Sequence, residues 1–195
     1  MSDLVLDPAR SRVRIQTFAE GLLARLAHDL ELVCGDLTGH ASRSGERADA
    51  GSATIEAPLR GFAVAGVLGR DGRVDDRGLG PSERRDCLAK MASDVFHTRP
   101  EAVGEAMVLV QIQLERGSAR VRVVPPNGKA VEAVLKPDVR TDGDAVRASG
   151  SFEVSLMGIG SDVVKGPMGA FRVKDRVKVL FDVVFAPSPS PPQPA

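Results

Sequence analysis

The segment VKDRVKVLFDVVFAP, residues 173–187, is the stretch that decides the fold. Apolar and polar side chains alternate along it with a period of two, which is typical of a β-strand that has one buried face and one exposed face. The apolar positions are Val177, Val179, Phe181, Val183 and Phe185, and the polar positions between them are Arg176, Lys178 and Asp182. The segment therefore predicts a long final strand, just before the proline-rich end of the chain.

The same period of two recurs along the rest of the chain. Short turn signals such as ERGS, PPNG and TDGD separate several of the repeats, which favours antiparallel neighbours. With the final strand, the segments predict about eight strands in a closed or nearly closed barrel, because an open sheet of that size would leave its edges exposed. The other alternating segments are residues 13–17, 30–34, 53–57, 108–114, 120–123, 131–135 and 148–156.

Two segments break the strand pattern and predict helices. In LGPSERRDCLAKMASDVF, Gly80 is suited to the N-cap, Pro81 to the first helical position and Glu83 to the first turn. Leu88, Met91, Ala92 and Val95 share one face of this helix. A second, shorter helix is predicted in EGLLARLAHD, residues 20–29, and neither helix alternates with strands as in a parallel sheet.

Composition excludes several classes of partner. Lys plus Arg and Asp plus Glu both number 26, so the chain lacks the basic excess of a nucleic-acid-binding protein. The chain has seven Phe but no Trp or Tyr, which argues against base stacking. The first residues, MSDLVLDPARSRV, do not resemble a signal peptide, and no apolar run is long enough for a transmembrane helix, so we expect a cytoplasmic protein.

The sequence offers little that indicates catalysis or metal binding. His28, His40 and His97 have no spacing that suggests a shared ligand set, so no metal site and no cofactor is predicted. We find no nucleophile elbow, no phosphate-binding loop and no persuasive pair of carboxylates, so no catalytic residue is assigned and we expect a protein that is not an enzyme. Cys34 and Cys87 are too few for a disulfide framework and are expected to be buried thiols.

Four stretches, taken in order, resemble the YceI-like family of lipocalin-like β-barrels over nearly the whole chain. They are LVLDPARSRVRIQT, LAHDLEL with His28, VDDRGLGPSERRDCLAKMASDVFHTRPE, and SFEVSLMGIGSDVVKGPMGAFRVKDRVKVLFDVVF. The resemblance implies a single barrel domain over residues 1–186. The segment that follows, residues 187–195, is rich in Pro and Ser and is expected to be disordered, because prolines cannot donate backbone hydrogen bonds. The resemblance also implies an eight-stranded barrel around a long apolar cavity, with one or two short helices near one end. Some family members hold polyisoprenoid chains in that cavity.

From this resemblance and the alternation we expect a carrier of an apolar ligand, an isoprenoid or another long-chain lipid. Phe62 and Leu88 are expected to cover one end of the barrel, and His28 to contact a ligand headgroup. Two alternatives are open: an interaction module with a solid-packed barrel, and an enzyme with its site around His28. A homodimer is also left open. The predicted ligand-binding residues on the strands are Ile15, Leu30, Leu32, Ile55, Val110, Ile112, Phe152, Val154, Val179 and Phe181.

Overall fold

The final strand, Arg176–Pro187, is the longest in the protein and has neighbours along both edges. The structure is a computed structural model that describes residues 2–21, 27–43, 50–166, 169 and 171–188. It is mainly β, with thirteen strands in one curled antiparallel sheet and a separate two-stranded ribbon of β3 and β14. The strands are β1 Ser2–Leu6, β2 Arg12–Thr17, β3 Ala19–Glu20, β4 Leu30–Cys34, β5 Thr38–Arg43, β6 Gly51–Pro58, β7 Phe62–Leu68, β8 Val74–Asp75, β9 Met107–Glu115, β10 Ser118–Val124, β11 Val131–Leu135, β12 Asp138–Asp142, β13 Ala145–Ser155, β14 Arg172–Val173 and β15 Arg176–Pro187.

The sheet has more strands than the expected eight because three long strands are each interrupted by a bend, and because the short strands β8 and β12 pair with β7 and β13. β1 and β2 run in the same direction along one edge of β15, separated by residues 7–11. β4 and β5 follow them as the next pair, interrupted at residues 35–37, and β7 and β6 come after, interrupted at residues 59–61. Counting each interrupted pair once, the ring is β1/β2, β4/β5, β6/β7, β9, β10, β11, β13 and β15.

The ring closes at a seam between β11 and β13. These two strands are neighbours, because Leu135 Cδ1 lies 3.5 Å from the point where a β-carbon on Gly150 would stand. No hydrogen-bonded ladder joins them anywhere in the described parts of the chain. Every other junction in the ring is an antiparallel ladder. The fold is therefore a lipocalin-like barrel with one unbonded seam.

The predicted turns and the predicted helix over residues 79–96 are present. Arg116 and Gly117 both have positive φ, 51° and 75°, which is the geometry that joins β9 tightly to β10. The helix α1 spans Pro81–Lys90 and continues through a π-type turn over Met91–Val95. Glu83 accepts a hydrogen bond from the Gly80 backbone N–H at 2.8 Å, which caps the first turn.

Helix α1 lies against β7, next to the two-residue ladder that β7 makes with β8. Of the interrupted strand β6/β7, only the β6 half pairs with β9, so β7 makes no ladder with β9. Instead, the Arg84 guanidinium donates hydrogen bonds to the carbonyls of Val64 and Ala65. The core between α1 and the strands includes Phe62 and Phe96, whose ring centroids are 6.5 Å apart. We call this end of the barrel the helix end.

Two of the predicted features, the shorter helix and the proline-rich tail, lie partly or wholly outside the described residues. The shorter helix predicted over residues 20–29 includes residues 22–26, which lie outside the described residues, as do residues 189–195 of the proline-rich tail. β15 ends at Pro187, one residue past the boundary expected at 186. Within the described ranges, no helix is both long and apolar enough to cross a bilayer.

Candidate functional site: an apolar cavity in the barrel

An apolar cavity of about 160 Å³ lies inside the barrel, in the half away from the helix end. Its wall comes from the inward faces of β1, β5, β6, β9, β10, β13 and β15, with β2, Leu135 at the end of β11, and β12 contributing at its margin. The cavity is partly open, and its lining extends to the neighbouring ends of β5, β6, β9 and β10. We call this opening the mouth and define it by Arg43, Gly51, Leu114, Ala119 and Leu135.

Small side chains on adjacent strands leave room for the cavity. Ala41, Ala53 and Ile112 are successive neighbours in register on β5, β6 and β9, and all three line the wall. Across the barrel, Ala148 on β13 pairs with Val183 on β15, and both also line it. Alanine carries only a β-carbon, so two strands with alanine inward cannot fill a lumen of this diameter with their own side chains.

Six of the twelve predicted ligand-binding residues lie in the cavity wall. They cover four strands: β6, β9, β13 and β15. The structure brings these residues together around one space, as the alternation of their strands implies. The six are Ile55, Val110, Ile112, Phe152, Val179 and Phe181.

The other six lie outside the wall, towards the helix end. Phe62 packs near Phe96, and Leu88 on α1 is half-buried against the same core. Val154 is buried in this core, and Ile15 packs against it. Leu32 is buried in register with Ile15 and Val64, and Leu30 is half-buried at the start of β4. The helical segment and the inward side chains fill this half of the barrel.

His28 lies far from the mouth. It is exposed, and it precedes Leu30, which pairs with Thr17 at the end of β2 that points towards the helix end. Val13, which does line the cavity, is four residues back along β2, a rise of roughly 13 Å. The neighbouring Asp29 accepts a hydrogen bond from the Ala19 backbone at 2.8 Å, so the His28–Asp29 pair belongs to a turn beside the β3–β14 ribbon.

Several cavity residues were missed by the sequence analysis. Leu37, just before β5, and Ala41 and Arg43 on β5 line the cavity from one face, but this alternation is weak in sequence because Gly39 and Arg43 interrupt its apolar character. On β1, the signal was available in DLVLD, where Leu4 and Leu6 are buried and Val5 is 43% exposed. The remaining missed wall residues include Ala53, Ala57, Ala119, Val121, Leu135, Val139, Val146, Ala148, Val183 and Phe185.

A second void of about 250 Å³ lies at the seam, on the side of β11 and β13 nearer the helix end. Its wall mixes apolar residues such as Val131 with charged residues such as Glu132 and Glu153. Phe152 lines both voids, so its ring separates the apolar cavity from the seam. The polar wall of the second void makes it a poorer match for an apolar ligand.

The two cysteines are free thiols. Cys34, on β4, is buried beside Phe62, with which it pairs in register. Burial, with a smaller contribution from the charge of Asp36, raises the pKa of the Cys34 thiol to about 12. Burial likewise raises the pKa of Cys87 on α1, which is half-buried, so neither thiol is activated as a nucleophile.

The structure resembles that of BcnA from Burkholderia cenocepacia. The TM-score is 0.60, the sequences are 15% identical, and the match covers 92% of this chain and 98% of BcnA. No protein-family model matches the sequence, and no curated protein matches it either. At this low identity the likeness concerns the fold alone, and it supports a YceI-like fold for this chain.

Proposed function

We propose that this protein binds an apolar chain molecule, an isoprenoid or another long-chain lipid, inside the barrel and carries it without chemical conversion. The observation that supports the proposal best is the cavity of about 160 Å³, which is apolar and has a mouth at one end. The YceI-like fold supports a binding role in general. A cytoplasmic location stays a prediction.

The physical basis is transfer of hydrocarbon from water into an apolar space. Each CH₂ group moved into the cavity contributes roughly 0.8 kcal/mol, so a medium-length chain binds without any charged contact. The cavity volume of about 160 Å³ is close to that of an engineered lysozyme cavity, about 150 Å³, that stays dry and takes up benzene. A longer occupant therefore has to continue through the mouth, and we expect part of it to lie against the rim.

The distribution of packing argues against the alternative of an interaction module with a solid barrel. Solid packing is found at the helix end, around Phe62, Val95 and Phe96. The other half keeps its void although the strands around it are fully laddered, except at the seam. A protein that needed only a stable barrel would gain stability by filling this half with larger side chains, since voids reduce stability.

Native mass spectrometry of gently purified protein, followed by organic extraction, tests the proposal. We expect a bound lipid, or uptake of the apolar fluorescent probe N-phenyl-1-naphthylamine by the extracted protein. Ala53→Leu, which fills the lumen, should weaken probe binding about tenfold or more. Thr54→Leu adds the same side chain at the adjacent position, whose side chain points away from the cavity, and should leave binding unchanged.

Protein that carries no ligand and also fails to take up the probe or a long-chain lipid would contradict the proposal. Equal loss of binding in Ala53→Leu and Thr54→Leu would place the probe somewhere other than the cavity and would contradict it as well. Circular dichroism and thermal unfolding of both variants control for loss of fold.

A further inference from the structure

Arg43 is an arginine on the inner side of a β-strand that is otherwise apolar or glycine at its inward positions. Leu37 before the start of β5, and then Gly39, Ala41 and Arg43 along it, occupy every second position, so their side chains share one face. Leu37 and Ala41 line the cavity, and Arg43 lines it at the mouth. Arg43 is half-buried rather than exposed.

Arg43 stands out from its surroundings because of its charge. Among the described residues that line the cavity, Arg43 alone carries a charge. Ser42 and Ser52 alternate with the inward residues Ala41 and Ala53, so their hydroxyls lie on the other face of β5 and β6, where they are hydrogen-bonded to each other at 2.9 Å. The exposed surface of the wall is almost entirely hydrocarbon, so Arg43 borders the cavity through the aliphatic part of its side chain and carries the one charge at the mouth among the described lining residues.

A guanidinium at the rim of an apolar cavity is suited to an anionic group. Its planar set of N–H donors matches the two oxygens of a carboxylate or the oxygens of a phosphate, and such charge-assisted hydrogen bonds are about twice as strong as neutral ones. The aliphatic stem of an arginine can lie along apolar wall while its charged end stays at the opening. These properties place an anionic head at the mouth when an apolar chain occupies the lumen.

We infer that the ligand is an amphiphile with one hydrocarbon chain and an anionic head, a carboxylate or a phosphate, and that Arg43 selects for that head. The inference rests on the proposed function, since it assigns the polar end of a ligand whose apolar end lies in the cavity. The chain enters the space between β6, β9, β13 and β15, and the head remains at Arg43. His28, which the sequence suggested for this role, is at the far end of β2.

Three ligands with the same chain separate the head from the tail: decanoic acid, decyl phosphate and 1-decanol. Their affinities are measured at pH 8 by displacement of N-phenyl-1-naphthylamine from the wild-type protein and from Arg43→Gln. We expect Arg43→Gln to bind the preferred acid about tenfold to a hundredfold more weakly, because a hydrogen-bonded charge contact is lost. Binding of 1-decanol should not change. Comparison of the acid with the phosphate identifies which head is preferred.

Two control variants keep the test specific. Arg120→Gln makes the same charge change at an exposed position on β10 and should alter none of the affinities. Arg43→Lys keeps the charge but loses the paired donors, so it should retain part of the preference for the anion. Circular dichroism checks that Arg43→Gln is folded.

The outcomes distinguish this inference from the proposed function. The inference is wrong, and the carrier function stands, if 1-decanol binds and the acid and the phosphate bind no more tightly than 1-decanol does. The same conclusion follows if Arg43→Gln leaves the affinities for the acid and the phosphate unchanged. If wild-type protein binds neither the probe nor any of the three ligands, the proposed function fails and the inference fails with it. A loss of all three ligands in parallel in folded Arg43→Gln also contradicts a role for Arg43 in head selection.

Discussion

The ring of Phe181 on β15 lies over Gly150 on β13. The two residues are paired in register, and Phe181 Cζ is 3.0 Å from the point where a β-carbon on Gly150 would stand. Phe181 also packs near Phe152 on β13, with ring centroids 6.2 Å apart. Both rings line the cavity, so the absence of a side chain at Gly150 determines how far Phe181 extends into it.

Gly150→Val is therefore expected to narrow the cavity. The new side chain takes space that the Phe181 ring now occupies, and the ring has to shift towards the lumen. We expect the affinity for N-phenyl-1-naphthylamine to fall roughly tenfold, which corresponds to about 1.4 kcal/mol of binding free energy. Fluorescence titration measures it. Ser151→Val, at the next and exposed position of β13, is the matched control; equal affinities in the two variants would show that Phe181 is not held in place by Gly150.

Much of the barrel could be predicted from the sequence because its signals are local. The alternation from Val177 to Phe185 gives β15, and the turn at Arg116 and Gly117 joins two alternating segments. Helix α1 has its cap and proline at the expected positions. Each of these features depends on residues that are close together in the sequence, which is the range over which sequence patterns carry information.

The interruptions of the long strands could not be predicted in the same way. The bends at residues 35–37 and 59–61 depend on each other, since the Gly35 N–H donates to the Gly61 carbonyl at 2.8 Å. This contact joins residues that are distant in sequence. The sequence interpretation therefore ran Leu30–Cys34 and the following residues together, and it missed β7 and β12 as separate strands.

The division of the predicted site residues has a similar cause. Alternation identifies the face of a strand that is buried, but it does not say what buries it. Phe62 and Val154 are buried at the helix end, whereas Val110 and Ile112 face a void. What decides between the two outcomes is the position of α1 against β7, fixed in part by Arg84. Arg43 was missed because a charged residue at an inward position contradicts the pattern used to find such positions.

Val177 and Val179 allow the filled and the open half of the barrel to be compared by the same substitution. They are two residues apart on one face of β15; Val177 is 5% exposed within the core, and Val179 lines the cavity. We expect Val177→Ala to reduce the free energy of unfolding by about 2 kcal/mol, since it removes two buried methyl groups and leaves a void. Val179→Ala should cost about 1 kcal/mol, because less packing surrounds it.

Urea unfolding of both variants measures these differences, and probe titration provides the second readout. Val179→Ala should change the affinity for N-phenyl-1-naphthylamine, whereas Val177→Ala should leave it unchanged. A larger loss of stability in Val179→Ala than in Val177→Ala would contradict the assignment of the solid core to the helix end.

Asp182 contributes a pH-dependent increment of stability on the outside of the barrel. It accepts two hydrogen bonds from Arg147 on β13, one of them from Nε to Oδ1 at 2.6 Å, and it pairs in register with Arg12 on β2. The hydrogen bonds from Arg147 hold the pKa of Asp182 below its ordinary value; partial burial opposes this effect, and the charges of Arg147 and Arg12 add to it.

Because its pKa is lowered on folding, Asp182 stabilises the protein above the pKa of the unfolded chain, about 3.9, and the contribution disappears as the pH falls through the lower folded value. Asp182→Asn should therefore be less stable than wild type at pH 7, by a small amount since the pair is exposed to solvent. The difference should vanish at the lowest pH at which both proteins stay folded. Urea unfolding across this range checks it, and a difference that does not depend on pH would contradict the ion-pair origin.

The buried thiol of Cys34 makes the stability of the protein depend on pH in the opposite direction, because its contribution is lost as the pH rises. Burial raises its pKa to about 12 in the folded protein, whereas an unperturbed thiol has a pKa of about 8.5. The folded state thus holds this proton more tightly than the unfolded state. The corresponding stability is fully present below about pH 8.5, and it is lost progressively as the pH rises towards 12.

We expect the free energy of unfolding of the wild-type protein to fall more between pH 8 and pH 10.5 than that of Cys34→Ala, which has no thiol to ionise at this position. In Cys87→Ala, where Cys34 is the remaining thiol, iodoacetamide at pH 8.5 should react far more slowly with the folded protein than with the protein in urea, because the thiolate is the reactive form. Equal alkaline loss of stability in the wild type and in Cys34→Ala, together with rapid alkylation of the folded protein, would show that Cys34 is not held protonated between β2 and β7.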